Sequence, residues 1–273
     1  MHLLQLYGPF CINGNVENVH KRQHCLCLRQ GLHLCGEFAR LFPFSLFERF
    51  ISIDVYKRQV LISTGNTQVL CTAMLEPEVP PFLAGTGKGW LTAEYSMLPA
   101  STPGRKKRDG MKKDGRGVEI QRLIGRSLRS VCDFEDMGEY TIFVDCDVLN
   151  ADGGTRTASI SGAFVAVALC VERAIGEGVL QRSPLKKHIA AVSAGIVGDV
   201  PMLDLCYSED SSAQADMNMI SASDGNIGEI QVCGEKRTIT EEEFSKLMRL
   251  CKKGIGEIID AQKQVLKEEG ITI

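Results

Sequence analysis

Residues 141–149 (TIFVDCDVL) read as a buried strand, Gly153 and Gly154 break it, and a helix rich in small residues follows over about 158–174. This series of strand, glycine turn and helix constrains the chain most, because it requires sheet and helix to share one core. Residues 60–63 and 67–72 read as strands around a Gly65-Asn66 turn. Residues 118–131 place Ile120, Leu123, Ile124, Leu128 and Val131 on one helical face. Short strands are expected at 190–196, 201–207, 217–221 and 228–232, with Gly198-Asp199 and Asp224-Gly225 as tight turns. The last helix opens on Thr240 and Glu243, the spacing of a capping box, and carries Phe244, Leu247, Met248, Cys251, Ile255, Ile258 and Ile259 as its apolar stripe. Strands interleaved with crossover helices, then an antiparallel run, make an α+β (mixed α/β) fold.

The 273 residues, 44% hydrophobic and 24% charged, suffice for one sizeable core or two small ones. A mean hydropathy of −0.02 and the lack of an 18-residue apolar run argue against a membrane span. The N-terminus lacks the pattern of a secretory signal. The eleven cysteines show no regular spacing, so reduced thiols of a cytoplasmic protein, mostly buried, are expected.

The best anion site is Asp152-Gly153-Gly154-Thr155-Arg156-Thr157. Glycines let backbone approach an oxyanion closely, and the following helix offers unsatisfied N–H groups and a positive dipole end. Thr155 adds a hydroxyl and Arg156 a fork of donors suited to phosphate. The plainer reading is an ordinary strand-to-helix turn with an exposed arginine. Arg116 starts the helix read over 118–131, so it too can face an anion. Asp204, Glu209, Asp210 and Asp216 make an acidic cluster, and a hairpin link would bring Asp210 close to Asp216. Facing carboxylates suit Mg²⁺, or one acts as a general acid; the alternative is a solvated acidic loop. Residues 105–116 (RKKRDGMKKDGR) hold seven Lys/Arg against two Asp, either a solvated loop or a phosphate-backbone contact. Gly85-Thr86-Gly87-Lys88-Gly89 lacks the spacing of a triphosphate loop and reads as a flexible turn, which leaves a small-molecule kinase without its nucleotide site.

The stretches GNTQVLCTA, GWLTAEYSMLP, DGRGVEIQRLIGRSLRSV, DCDVLNADGGTRTASISGAFVA, AAVSAGIV and LDLCYSEDSSAQADMNM, in that order over residues 60–273, resemble the bacterial ribonuclease PH family. The resemblance implies a single ribonuclease PH-type domain with mixed sheets and crossover helices, acting as a phosphate-dependent 3′→5′ exoribonuclease that releases nucleoside 5′-diphosphates. It further implies trimming of tRNA precursors and other RNA 3′ ends, a cytoplasmic hexameric ring built as a trimer of dimers, and Mg²⁺ (or Mn²⁺) as cofactor with inorganic phosphate as co-substrate. By the family pattern Arg116, Gly154, Thr155 and Arg156 hold phosphate, Asp210 and Asp216 are the catalytic, metal-associated carboxylates, and Arg105 and Arg108 meet RNA. A catalytically weak or inactive RNA-binding ring subunit is the competing reading; such subunits tend to lose the turn or the aspartates, and both are present here.

Ala100 stands where many relatives carry arginine, the loop before Arg116 looks slightly short, and the family's opening strand is missing. In its place, residues 1–59 contain His2, His20, His24 and His33, four of the five histidines, and no sustained strand or helix period. Cys25, Cys27, His33 and Cys35 match no established zinc spacing and read as accidental composition. The DNA string GATGTGTATAAGAGACAG, a transposon end used to tag sequencing libraries, would encode the hexapeptide DVYKRQ found at residues 54–59. Residues 1–59 therefore read as a foreign, chimeric segment that packs poorly ahead of the domain at 60–273.

Overall fold

The computed structural model describes residues 24–25, 49–54, 59–108 and 115–273. A first sheet holds β1 (His24–Cys25), β2 (Arg49–Asp54), β3 (Gln59–Thr64), β4 (Thr67–Glu76), β5 (Trp90–Met97) and β6 (Thr141–Asn150) in the order β1-β2-β3-β4-β6-β5. All neighbours are antiparallel except β5 and β6, which run parallel. A parallel pair needs a crossover, and α1 (Gly115–Arg129) lies between the two strands in sequence.

One face of this sheet presents Val60, Ile62, Val69, Cys71, Val144 and Cys146 to the core. Against it lies α2 (Thr155–Gly176), buried from Thr157 through Val171. The helix is long and apolar enough to cross a membrane, yet 83% of its apolar window is buried inside the molecule. Its small residues permit that burial: a side chain at Gly162 would stand 2.8 Å from Ile62 Cγ2 and 2.9 Å from Cys71 Sγ.

The second sheet contains β7 (Ile189–Val197), β8 (Val200–Leu203), β9 (Ala215–Ala222) and β10 (Ile227–Cys233) in the antiparallel order β10-β9-β7-β8. Between β8 and β9 sits the short α3 (Tyr207–Ser212), and α4 (Glu241–Glu268) ends the fold. β7 is covered on both sides, so it reads as a continuous apolar run. Ile189 and Ala191 join the core around α2, while Ala190, Val192, Ala194 and Ile196 pack with Leu247, Cys251, Ile255 and Ile258 of α4. The predicted capping box is formed: Glu243 N–H donates to Thr240 Oγ1 (3.2 Å) and Thr240 N–H to Glu243 Oε2 (2.9 Å).

Two expectations need correction, and one strand was not anticipated. The strand read over 201–207 stops at Leu203, because Asp204 takes a left-handed backbone (φ 60) and the next residues begin α3. Residues 90–97, unassigned from the sequence, form a strand in which buried Leu91, Ala93 and Tyr95 alternate with exposed Glu94 and Ser96. The segment before Val60 does contain a strand: Arg49–Asp54 pairs with Gln59–Thr64, and Ile51 is buried in the main core. That strand pairs with the flank of β3 where the family's opening strand was expected. Residues 55–58 and the side chains of Cys25, Cys27, His33 and Cys35 lie outside the described residues.

Candidate active site

The turn between β6 and α2 is built from backbone. Gly153 (φ 81) and Gly154 (φ 57) both take left-handed conformations that favour glycine. A Cβ on Gly153 would lie 2.2 Å from the Leu205 carbonyl oxygen, so the residues leading into α3 press directly on the turn. Gly154 is the N-cap of α2 and makes no side-chain bond to the helix, which leaves the first amides of α2 for a ligand.

Side chains fix the turn from both flanks. Thr67 Oγ1 donates to Gly153 O (2.6 Å) and accepts from Asp152 N–H (2.8 Å). Asp152 accepts from Asn66 Nδ2 (2.9 Å) with one carboxylate oxygen and from Tyr207 N–H (3.1 Å) with the other. The β3–β4 hairpin, the turn and the start of α3 thereby form one unit.

The predicted arginines converge from separate helices. Arg156 is the second residue of α2, and Arg116 the second residue of α1. Both lie near the buried Tyr95 phenol: its pKa is raised by burial, while the Thr155 hydrogen bond, Arg116 and Arg156 pull it down. The Tyr95 O–H donates to Thr155 Oγ1 at 2.9 Å.

Asp216, near the start of β9, lies close enough to Arg156 for the two charges to interact. Burial raises its carboxyl above the ordinary range, the charge of Asp210 raises it further, and Arg156 offsets part of this. Its Oδ2 accepts from Asn218 Nδ2 (3.3 Å), whereas its Oδ1 is buried without a hydrogen-bond partner. The fold therefore brings Arg156, Asp210 and Asp216 together, but not through the expected hairpin. Asp210 sits on α3 and Asp216 on β9. Of the other acidic residues, Glu209 accepts from Cys206 N–H (2.9 Å) and caps α3, and Asp204 forms the bend before it.

Two neighbours of Asp216 escaped the sequence reading. Cys233 lies opposite it in the β9–β10 register, and ligand atoms of Asp216, Cys233 and Glu235 fall within 4.8 Å of one another. A hydrogen bond to Glu235 raises the Cys233 thiol, so the oxygens of Asp216 and Glu235 are the better donors for a hard cation. Extending the predicted pairing of 217–221 with 228–232 by one step past Val232 would have found this register.

Arg105 and Arg108 are exposed on the loop after β5, and residues 109–114 lie outside the described residues. The loop leaves from the same end of the sheet as the turn: Ala151 N–H donates to Ser101 O (2.8 Å). Gly85-Thr86-Gly87 lies in a turn, with no helix between it and β5, as the failed triphosphate spacing implied.

Comparison with known proteins fits this geometry. Residues 58–171 match the profile of the 3′ exoribonuclease family, domain 1, and residues 187–254 match domain 2. Ribonuclease PH of Neisseria meningitidis serogroup C is 51% identical over 208 residues, covering 76% of this chain and 86% of that protein. Ribonuclease PH of Bacillus subtilis is 52% identical over 210 residues, with coverage of 76% and 86%. Among solved structures, the Archaeoglobus fulgidus exosome with RNA bound to the active site aligns with a TM-score of 0.64 at 20% identity, covering 77% of this chain and 84% of that one. An archaeal exosome core aligns at 0.60 and 19%, with coverage of 78% and 84%. The archaeal likenesses support the fold, and the bacterial identities and both domain profiles establish the descent: this chain belongs to the ribonuclease PH family of 3′ exoribonucleases.

Proposed function

We propose that the chain shortens RNA from the 3′ end by phosphorolysis, with tRNA precursors and other structured RNA as substrates. The observation that carries this reading is the meeting of the glycine turn and Arg156 with the Asp210–Asp216 pair. Inorganic phosphate sits on the free amides of α2, held by Thr155, Arg156 and Arg116. One of its oxygens bonds to the phosphorus of the last phosphodiester, and the bond from that phosphorus to the neighbouring 3′ oxygen breaks. The terminal nucleotide leaves as a nucleoside 5′-diphosphate. Asp216, whose carboxyl is raised, gives a proton to the departing 3′ oxygen. Positioning and charge neutralisation supply most of the rate, as in other phosphoryl transfers.

Alternatively, an ionised Asp216, with its buried, unpartnered Oδ1, would hold a hard cation, Mg²⁺ (or Mn²⁺), together with Asp210 or Glu235. When bound, such an ion supplies positive charge to the phosphate oxygens. The exposed Arg105 and Arg108 meet the RNA backbone, and the chain assembles as a hexameric ring in the cytoplasm. The seven free cysteines among the described residues suit a reducing compartment.

We also read residues 1–59 as foreign to the domain, supported by a family match that begins at residue 58. Resequencing the locus tests this, and an uninterrupted frame across residues 54–59 would overturn it.

The central experiment incubates the protein with a tRNA precursor, with and without phosphate, and identifies the released nucleotides. Diphosphates formed only with phosphate are expected. Monophosphates formed equally well without it would mean a hydrolase, and no release at all would favour an inactive RNA-binding subunit.

A further inference from the structure

We infer that Tyr95 is a positioning residue for the phosphate co-substrate: its hydroxyl occupies an acceptor site of Thr155 Oγ1 and so directs the Thr155 hydrogen toward the anion. The inference rests on the phosphorolytic reading above.

Tyr95 is 6% exposed on β5, in line with the buried Leu91 and Ala93. A phenylalanine would fill the same volume, so packing does not account for the hydroxyl. Its oxygen lies 2.9 Å from Thr155 Oγ1, at the first residue of α2. A threonine hydroxyl has one hydrogen to give. Among the described residues, Thr155 Oγ1 has no partner besides Tyr95, so with a donor already in place its hydrogen is left for a ligand on the exposed side.

The same residue lies beside the start of the second phosphate helix. A Cβ on Gly117, one residue after Arg116, would stand 4.0 Å from the Tyr95 carbonyl oxygen. Tyr95 thus spans the starts of α1 and α2, the two places that bring Arg116 and Arg156 to the anion. Burial keeps its phenol protonated, and therefore a donor, at neutral pH.

The test uses the full chain and inorganic phosphate as the probe. Phosphate affinity is read from the concentration dependence of the thermal midpoint, which needs no turnover, and the phosphate and RNA KM values are read where turnover is measurable. Tyr95→Phe should weaken phosphate binding about three- to tenfold, the effect of one hydrogen bond, with RNA affinity and the phosphate-free midpoint unchanged. Thr155→Val should do the same, the double variant should lose nothing further, and Thr155→Ser should retain parental affinity.

Unchanged phosphate affinity in Tyr95→Phe, alongside loss in Arg156→Ala, would overturn the inference and leave the proposed function standing. Equal weakening toward RNA, or effects of Tyr95→Phe and Thr155→Val that add, would make Tyr95 a packing residue and overturn it too. No phosphate-dependent shift in the parent chain would overturn the phosphorolytic reading itself.

Discussion

The glycine turn and the acidic cluster come together at Arg156 but are built by opposite means. The turn is backbone: two left-handed glycines and the uncapped start of a buried 22-residue helix. The cluster is side chains carried by a six-residue helix and the start of a strand. Their dependence is one-sided. α3 is located by the turn, through Asp152 accepting from Tyr207 N–H and through Gly153 lying under Leu205, while the turn is also gripped from the β3–β4 hairpin. Damage to the turn should therefore spread to the carboxylates, and damage to the carboxylates should stay local.

Gly153→Val tests that asymmetry most severely. A β-branched residue is strained at φ 81, and its Cβ would collide with the Leu205 carbonyl 2.2 Å away. Stability should fall by about 2–4 kcal/mol, with phosphate binding and turnover both lost. Urea unfolding together with phosphate titration checks this, and a variant that lost turnover while keeping phosphate affinity would show the turn to be independent of α3.

The reverse experiment is Asp210→Asn or Asp216→Asn. Each keeps side-chain shape and removes a charge or proton, so turnover should fall about 10²–10⁴-fold with phosphate affinity and thermal midpoint close to the parent's. Near-normal turnover in both would return the cluster to a solvated acidic loop.

This contrast also explains what could be read from the sequence. Gly153, Gly154, Thr155 and Arg156 are consecutive, and their geometry follows from a strand ending where a helix begins, so the anion site was legible from local chemistry. Thr240 and Glu243 marked the start of α4 for the same reason. Asp210 and Asp216 stood out as an acidic cluster, but their arrangement did not, because α3 owes its position to Asp152, 55 residues from Tyr207. Glu235 and Cys233 reach Asp216 only through strand register. Tyr95 escaped because its partner, Thr155, is 60 residues away and its strand alternates small, polar and aromatic residues.

Arg156→Ala sharpens the comparison from the middle, since Arg156 acts on both sides of the site. Loss of a charge-assisted contact to the attacking anion should cost about 2–4 kcal/mol in the transition state. It should also raise the Asp216 carboxyl further, because the Arg156 charge holds it down. A turnover-against-pH profile would then show its alkaline limb moved to higher pH, with RNA affinity little changed. A limb that stayed in place would separate Arg156 from Asp216.

The smallest effect concerns the tie between the halves. Arg126 on α1 pairs with Glu229 on β10: its Nε donates to Glu229 Oε2 and its Nη2 to Oε1 at 2.6 Å. The hydrogen bonds from Arg126 are the largest cause holding the Glu229 carboxyl below its ordinary value. Side-chain exposures of 40% and 23% leave the pair partly screened, so Arg126→Ala should cost only about 1 kcal/mol at neutral pH. Because the folded-state pKa of Glu229 is depressed, the contribution is complete above the unfolded value of about 4.3 and is lost as pH falls through the lower folded value. Urea unfolding of parent and variant should therefore differ at pH 7 and converge on acidification below that value. A gap that persisted at low pH would assign the effect to the packing of the arginine stem, and the two halves would then be joined by the buried faces of α2 and β7 rather than by charge.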